Sequence, residues 1–221
     1  MKNISQTAVV IPAHNEAETI RKLVRLIQKT EKNIIVIDDG STDGIAEVLR
    51  REKVVILTHI VNLGKGAALT TGVEYAQKAG FSKVILMDAD GQHSSADLPA
   101  FEEALGKADL ILGVRKLSLR DTGFRYLGNR INSLVIKWLF GEKVADPLCG
   151  YRAFNLRIYP KLKWESSGYG VETEMVIRAI QNKIKFKEIP VSSIYIDKYK
   201  GVSVIDAYKI FFDMLKWRAS I

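Results

Sequence analysis

The chain has 221 residues, 47% of them apolar and 26% charged, with 33 Lys and Arg against 25 Asp and Glu for a formal net charge of +8. This balance is that of a soluble globular protein and excludes a disordered tail, a collagen-like fibre or a low-complexity segment. The length suits one large α/β domain with a core that needs no cross-links. The single cysteine, Cys149, forms no internal disulfide and points to a reducing, cytoplasmic setting.

From the N-terminus, Met1 to Thr7 is polar and does not read as a signal peptide. Ala8 to Ile11 reads as a buried strand closed by Pro12, followed by a helix through Ile20, Leu23, Val24 and Ile27. Ile34 to Ile37 is a second strand, ended by Asp38, Asp39, Gly40 and Ser41, and a helix follows through Ile45, Val48 and Leu49. Val54 to Leu57, Val84 to Met87 and Leu110 to Val114 read as three more strands, with helices at Ala67 to Ala79 and Leu98 to Leu105 between them. Short buried strands alternating with amphipathic helices predict parallel βαβ units, with ligands beyond the carboxyl ends of the strands.

After Val114 the alternation stops and a basic segment begins: Arg115 to Lys163 holds 11 Lys and Arg against 3 acids, so the whole net charge of +8 sits there. Such an excess suits an anionic partner or a solvated basic face. The richest apolar stretch, Leu134 to Phe140, is broken by Lys137 and is far short of the roughly 18 residues that span a bilayer.

Polar clusters follow three of the strands. Asp88 and Asp90 are two apart at a strand end, where two carboxylates can share a hard cation through oxygen. Such an ion would neutralise charge on a departing diphosphate. Asp38 to Asp43 offers carboxylates for a nucleobase or a ribose, with Ser41 or Thr42 as an N-cap. Lys65 stands between Gly64 and Gly66 at a helix start, which lets backbone approach an anion, although the spacing is not that of a Walker A loop. His14 and His93 read as surface or capping residues; no Cys/His spacing suggests zinc, and no Gly-x-Ser-x-Gly elbow is present.

In order, Val10 to Glu16, Val36 to Asp43, Asn62 to Leu69, Met87 to His93, Gly113 to Arg115, Asp146 to Arg152, Tyr169 to Glu174 and Glu188 to Val191 resemble the family 2 glycosyltransferases of GT-A fold. The likeness is strongest to the dolichyl- or polyprenyl-phosphate mannosyl- and glucosyltransferases. It implies a Rossmann-like α/β/α sandwich with a mostly parallel sheet, a single domain over 1–221 with a nucleotide-sugar-binding half at 1–114 and an acceptor-binding half at 115–221. It implies that Pro12, His14, Glu16, Ile37 and Asp39 line a nucleoside pocket, and that Asp88, Ala89 and Asp90 meet the diphosphate. A Mg2+ or Mn2+ ion would be held by Asp88 and Asp90 with Gln92 beside it, and Lys65 would lie near the donor. Arg115 and Arg152 would face the acceptor or donor phosphates, and Asp146 and Glu174 the sugar. Relatives often carry a basic residue after a Gly-x-Ser; here Gly201-Val202-Ser203 is followed by Val204, so Lys198 or Lys200 is the expected replacement.

The implied reaction is an inverting transfer from a nucleotide sugar such as GDP-mannose or UDP-glucose. A saccharide hydroxyl acceptor needs a general base, whereas a polyprenyl phosphate is already anionic and needs positioning and charge stabilisation. The apolar residues Leu127, Ile131, Leu134, Val135, Trp138 and Leu139, with Arg130 and Lys137 among them, and the Val204 to Trp217 segment suit a helix on an anionic membrane surface or a stripe packed on the core. The expectation is therefore a lipid-phosphate acceptor and a peripheral enzyme at the cytoplasmic membrane face, with room for an integral-membrane partner. A sugar-phosphate nucleotidyltransferase is the rival reading, but Pro12 to Glu16 has no glycine-rich loop. No nucleic-acid partner is expected, since three acidic strand ends would repel one.

Overall fold

In the computed structural model, residues 6–30, 32–116, 119–192 and 204–219 are described. Lys198 and Lys200, like Gly201 to Ser203, lie outside the described residues. Seven strands, β1 (Thr7–Ala13), β2 (Asn33–Asp39), β3 (Val55–His59), β4 (Lys83–Leu86), β5 (Leu110–Arg115), β6 (Arg152–Asn155) and β7 (Phe186–Val191), form one sheet in the order β3-β2-β1-β4-β6-β5-β7. Every pairing is parallel except those of β6, which runs antiparallel to both β4 and β5. The expected α/β architecture with a mostly parallel sheet is what forms.

Side-chain alternation along the strands explains the layers. Ala8 and Val10 of β1 enter one core with Ile35, Ile37, Val84 and Leu86, while Val9 and Ile11 enter the opposite core with Ile34, Val36, Ile85 and Met87. The first core is covered by α3 (Lys65–Lys78), α5 (Leu119–Phe140), α7 (Val171–Gln181) and α8 (Val204–Ala219), and the second by α1 (Ala17–Gln28), α2 (Ile45–Leu49) and α4 (Leu98–Leu105). A short α6 (Tyr159–Leu162) follows β6. Buried on both faces, β1, β2 and β4 read as continuous apolar runs, which is why they were visible in the sequence.

Three departures from the expected elements have physical causes. β1 continues through Pro12 to Ala13, because the ladder with β4 ends at Val10–Leu86 and Pro12 lies beyond that last pair. The sequence of β6, Arg152-Ala-Phe-Asn, has no apolar run, and its strand conformation comes from pairing on both sides. β7 is an edge strand carrying Lys187 and Pro190, residues that mask a strand signal and also discourage edge pairing.

The start of α3 is fastened to the segment ahead of α7. The Gly66 N–H donates to Ser167 O at 2.6 Å, the Ala67 N–H donates to the same oxygen at 3.3 Å, and Trp164 Nε1 donates to Gly66 O at 2.9 Å. A Cβ on Gly66 would lie 1.8 Å from the Ser166 carbonyl oxygen, which is backbone and has nowhere to go. Gly66→Ala is expected to lower stability by about 1–2 kcal/mol, overpacking outweighing the helix-propensity gain of alanine. A urea titration followed by circular dichroism would register the loss as a lower midpoint.

Candidate functional site

The strand order reverses between β1 and β4, and this is where open α/β sheets place a crevice. Two loops form its first wall. The Asn15 side-chain oxygen accepts from the Thr42 N–H, Ser41 Oγ accepts from the Asn15 N–H, and Asp43 Oδ2 accepts from the Ala17 N–H at 2.7 Å, at the start of α1. Ser41 and Thr42 therefore bind the loop after β1 and do not cap α2, whose N-cap is Gly44 at φ +84°. His14 is exposed and donates from Nδ1 to the Asp39 carbonyl at 2.9 Å. Pro12 and Glu16 are half-buried at the same strand end, with Glu16 accepting from Thr19 Oγ1.

Asp39 is buried, and its carboxylate already holds the loop before α3. Oδ1 meets His59 Nδ1 at 2.7 Å and the Leu63 N–H at 2.9 Å, and Oδ2 accepts from the Gly64 N–H at 2.8 Å. Asp39 thus builds the loop before α3, and a nucleoside would meet only the acceptor capacity that these three contacts leave on its carboxylate. Ile37 is no lining residue: its side chain sits in the core, against the helix at Gly72. Ala89 is buried too, though its carbonyl oxygen accepts from Thr19 Oγ1 at 3.0 Å and so ties the loop after β4 to α1.

The acidic pair ends β4. Asp88 Oδ1 lies 2.6 Å from Lys65 Nζ, and the same ammonium lies 2.6 Å from Glu172 Oε1 at the start of α7. Burial works against the charges of Lys65 and Asp88, yet the two carboxylates raise the Lys65 pKa, and Lys65 holds Asp88 down at about 2. Asp90 stands in the opposite situation. Burial first and the Asp88 charge second push its pKa up to about 6, although its Oδ1 accepts from the Gln92 N–H at 2.9 Å. A raised carboxylate beside a second carboxylate is a site short of positive charge. Asp88 and Asp90 supply hard oxygen donors, the type that Mg2+ and Mn2+ prefer, though the described residues hold no ready cluster of three or more His, Cys, Asp and Glu. Two protein carboxylates plus diphosphate oxygens and water fit such an ion.

The antiparallel β6 delivers the remaining residues. Its beginning lies where its parallel neighbours end, so the segment before it crosses the mouth of the crevice. There Gly150 packs so closely that a Cβ would lie 2.5 Å from Asp88 Oδ2. Tyr151 stacks on buried His93 at 4.8 Å between ring centroids, and the Asp88 N–H donates to His93 Nδ1 at 3.3 Å. Burial keeps His93 neutral by lowering its pKa to about 4, so this residue supports the acidic loop from inside and is not a surface histidine. Asp146, buried, grips Arg115 with both oxygens, from Nε at 2.8 Å and Nη2 at 2.9 Å. It is thus a holder of Arg115 and does not face a sugar, while the Arg115 charge reaches Asp88.

Two further expectations are overturned. Arg152, 1% exposed, donates to the carbonyls of Cys149, Pro147 and Glu172, so it pins the crossing segment to α7 and faces no phosphate. Glu174 is fully buried and accepts from the N–H groups of Glu165 and Ser166 and from Arg178 Nε. The acid that reaches the site is Glu172, two residues earlier and therefore about 200° around the helix from Glu174. Helical periodicity separates the two, but nothing in the sequence says which faces the crevice. An open cavity of about 620 Å³ lies elsewhere, between Glu165–Gly170 and α8; its lining includes Ser167, whose carbonyl also fastens the Lys65 loop, and no acid of the β4 end.

Residues 8–180, most of the chain, match Glycosyl transferase family 2. The chain belongs to that family. Among its relatives, polyprenol monophosphomannose synthase of Mycolicibacterium smegmatis is 28% identical over 231 residues, covering 96% of this chain and 86% of the relative. The UDP-N-acetylglucosamine–dolichyl-phosphate N-acetylglucosaminyltransferase of Methanococcus voltae is 27% identical over 235 residues, covering 94% of each chain. Glucosyl-3-phosphoglycerate synthase of Mycobacterium tuberculosis, solved with Mn2+, UDP and phosphoglyceric acid, superposes with a TM-score of 0.75 at 20% identity, over 99% of this chain and 80% of that one. This family 2 glycosyltransferase thus shares its GT-A fold with that structure.

Arg152 donates to three buried carbonyls, each of which would cost about 1–3 kcal/mol to leave unpaired. Arg152→Ala in this glycosyltransferase is therefore expected to destabilise the fold by at least about 3 kcal/mol, with no rescue by lysine, whose ammonium lacks the planar fork. Thermal unfolding of the two variants checks this: an unchanged midpoint would return Arg152 to a ligand-facing role.

Proposed function

We propose that the enzyme is an inverting hexosyltransferase that moves a sugar from a nucleotide sugar to the phosphate of a polyprenyl or dolichyl lipid. The observation that carries this reading is the state of the acids. Asp146, Glu172 and Glu174 are paired with Arg115, Lys65 and Arg178, so none is an unengaged base for a hydroxyl acceptor. A lipid phosphate brings an oxygen that is already anionic and needs no deprotonation. The two relatives support the same acceptor class, since their names carry polyprenol or dolichyl phosphate, while their sugars differ.

In this reading Asp88 and Asp90 hold a Mg2+ or Mn2+ ion, as the Mn2+ and UDP in the mycobacterial synthase support. When bound, the ion neutralises charge that develops on the departing nucleoside diphosphate. Pro12, His14 and Glu16 border the nucleoside, with His14 exposed and free to stack its ring on a base. Arg115, oriented by Asp146, brings a fixed cation to the phosphates and Lys65 adds a second positive charge, so electrostatic stabilisation and positioning do the catalytic work. The 1–114 half holds the donor and the 115–221 half the acceptor. Asp90→Asn is expected to reduce sugar transfer by at least about 100-fold while leaving the thermal midpoint within a few degrees, read in a radiolabelled-donor assay with polyprenyl phosphate. Near-normal transfer would remove Asp90 from the site.

We further propose peripheral docking on an anionic membrane at its cytoplasmic face. The apolar stripes expected to choose between core and membrane divide: Val135, Leu139, Ile210, Met214 and Trp217 pack on the core, and the rest of the described ones turn outward. Leu127, Ile131, Leu134 and Trp138, on one face of α5, are all more than half exposed, Trp138 at 78%. α8 packs against α5 and adds exposed Tyr208, Phe211, Phe212 and Leu215. The inner face of α5 carries Asn129 and Asn132 beside Ile136, Val135, Leu139 and Phe140, so the exposed apolar residues form a second apolar face. Exposed Arg130, Lys137, Lys209 and Lys216 flank the patch and suit anionic headgroups. No helix among the described residues is long and apolar enough to cross a membrane. Flotation with phosphatidylglycerol vesicles is expected to carry the protein upward, and Trp138→Glu with Phe212→Glu to leave it at the bottom. Equal flotation of both would put the docking face elsewhere.

A further inference from the structure

Lys65 has two carboxylate partners at equal distance, and one of them is the oxygen a cation would need. Its Nζ lies 2.6 Å from Asp88 Oδ1 and 2.6 Å from Glu172 Oε1, with the lysine side chain only 19% exposed. The backbone that carries it is fixed: Gly64 stands at φ +94° with its N–H on Asp39, and Gly66 is pressed against Ser166 and Ser167. Asp88 is equally fixed, by the close approach of Gly150 and by the Asp88 N–H to His93. A divalent ion on Asp88 Oδ1 would sit within a few ångströms of the ammonium, where two like charges in a half-buried site repel strongly. The ion and the Lys65 ammonium therefore compete for one carboxylate.

We propose that Lys65 is an internal counter-ion that occupies Asp88 until a divalent cation enters, then withdraws onto Glu172 with its ammonium toward the nucleotide diphosphate. Glu172 is the parking partner that makes withdrawal affordable, and the diphosphate is the anion that replaces the lost Asp88 contact. Cation and nucleotide then bind with positive coupling, each raising the affinity of the other by the same factor. This rests on the reading that Asp88 and Asp90 hold the ion, and it assigns Glu172 a positioning role through Lys65.

The test is Mn2+ binding to the intact protein, measured from the electron paramagnetic resonance signal of free Mn2+, without nucleotide and with UDP or GDP. Wild type is expected to bind Mn2+ alone weakly and about tenfold or more tightly once a nucleoside diphosphate is present. Lys65→Met is expected to bind Mn2+ alone about tenfold more tightly than wild type and to lose most of the nucleotide-induced gain. Glu172→Gln shifts Mn2+ binding the other way, because a withdrawn Lys65 has no partner. The double variant keeps the tighter binding of Lys65→Met, which separates a freed Asp88 from a freed Glu172 acting as an extra ligand. Should Lys65→Met fail to fold, Lys65→Gln carries the same expectations. Mn2+ binding in the lysine variants no tighter than in wild type, or a gain that vanishes in the double variant, overturns the counter-ion role. Failure of the underlying cation reading looks different: no protein binds Mn2+ with or without nucleotide, and Asp90→Asn matches wild type.

Discussion

The Lys65 ammonium joins three parts of the chain that are far apart in sequence: the helix start it belongs to, the loop that ends β4, and the first turn of α7. Burying one cation with two carboxylates is costly unless the geometry is fixed, and taking away either sign leaves an uncompensated charge worth about 3–5 kcal/mol. That cost explains why so much surrounding structure goes into holding the lysine in place. Asp39 clamps the loop before it, Gly64 supplies the left-handed turn, and Gly66 gives up its side chain so that Ser167 can accept two N–H groups. Without this tie, the acidic strand end would face a second buried acid with nothing between them.

Reversal of one strand does the rest. If β6 ran parallel to its neighbours, the chain entering it would lie at the opposite edge of the sheet. Running antiparallel, it brings Asp146 to Arg115, Gly150 to Asp88 and Tyr151 to His93 at the same edge as the ends of β1, β2 and β4. Arg152, at the first position of that strand, then locks the crossing segment to the carbonyl of Glu172, the partner of Lys65. Its buried guanidinium is thus structural in effect but sits two contacts from the proposed chemistry, which is why arginine in this motif reads so readily as a phosphate ligand.

The strands with two buried faces and the acidic clusters at their ends were legible because each is a local pattern: an apolar run, then polar residues. What was not legible depends on contacts across the chain. Pro12 looks like a stop and is inside a strand; Arg152-Ala-Phe-Asn looks like nothing and is the strand that organises the site. Among the acids, Asp146, Glu172 and Glu174 differ only in which way each points. Glu174 enters a nest of N–H groups with Arg178, Asp146 holds an arginine, and Glu172 reaches the crevice. His59 carried no signal at all, yet it bridges Asp39 and Thr71. Residue type predicted the neighbourhood, and only packing decided the partner.

The two outward apolar stripes depart from the usual rule for helices on a globular core. α5 buries Ile136, Val135, Leu139 and Phe140 against the core but also turns Trp138, Leu134 and Ile131 outward, a second apolar face that gains burial only where it meets another apolar phase. The inner asparagines do have partial use: Asn129 donates to the Ala145 carbonyl next to Asp146, and Asn132 donates to Thr173 next to Glu172. The same helix is therefore linked on its inner side to the residues that flank Arg115 and Lys65, and presents on its outer side the face suited to lipid. On the proposed function, a lipid-borne phosphate would approach from that side while its chain stayed in the bilayer, so an element with two apolar faces would link the acceptor to the cations of the crevice.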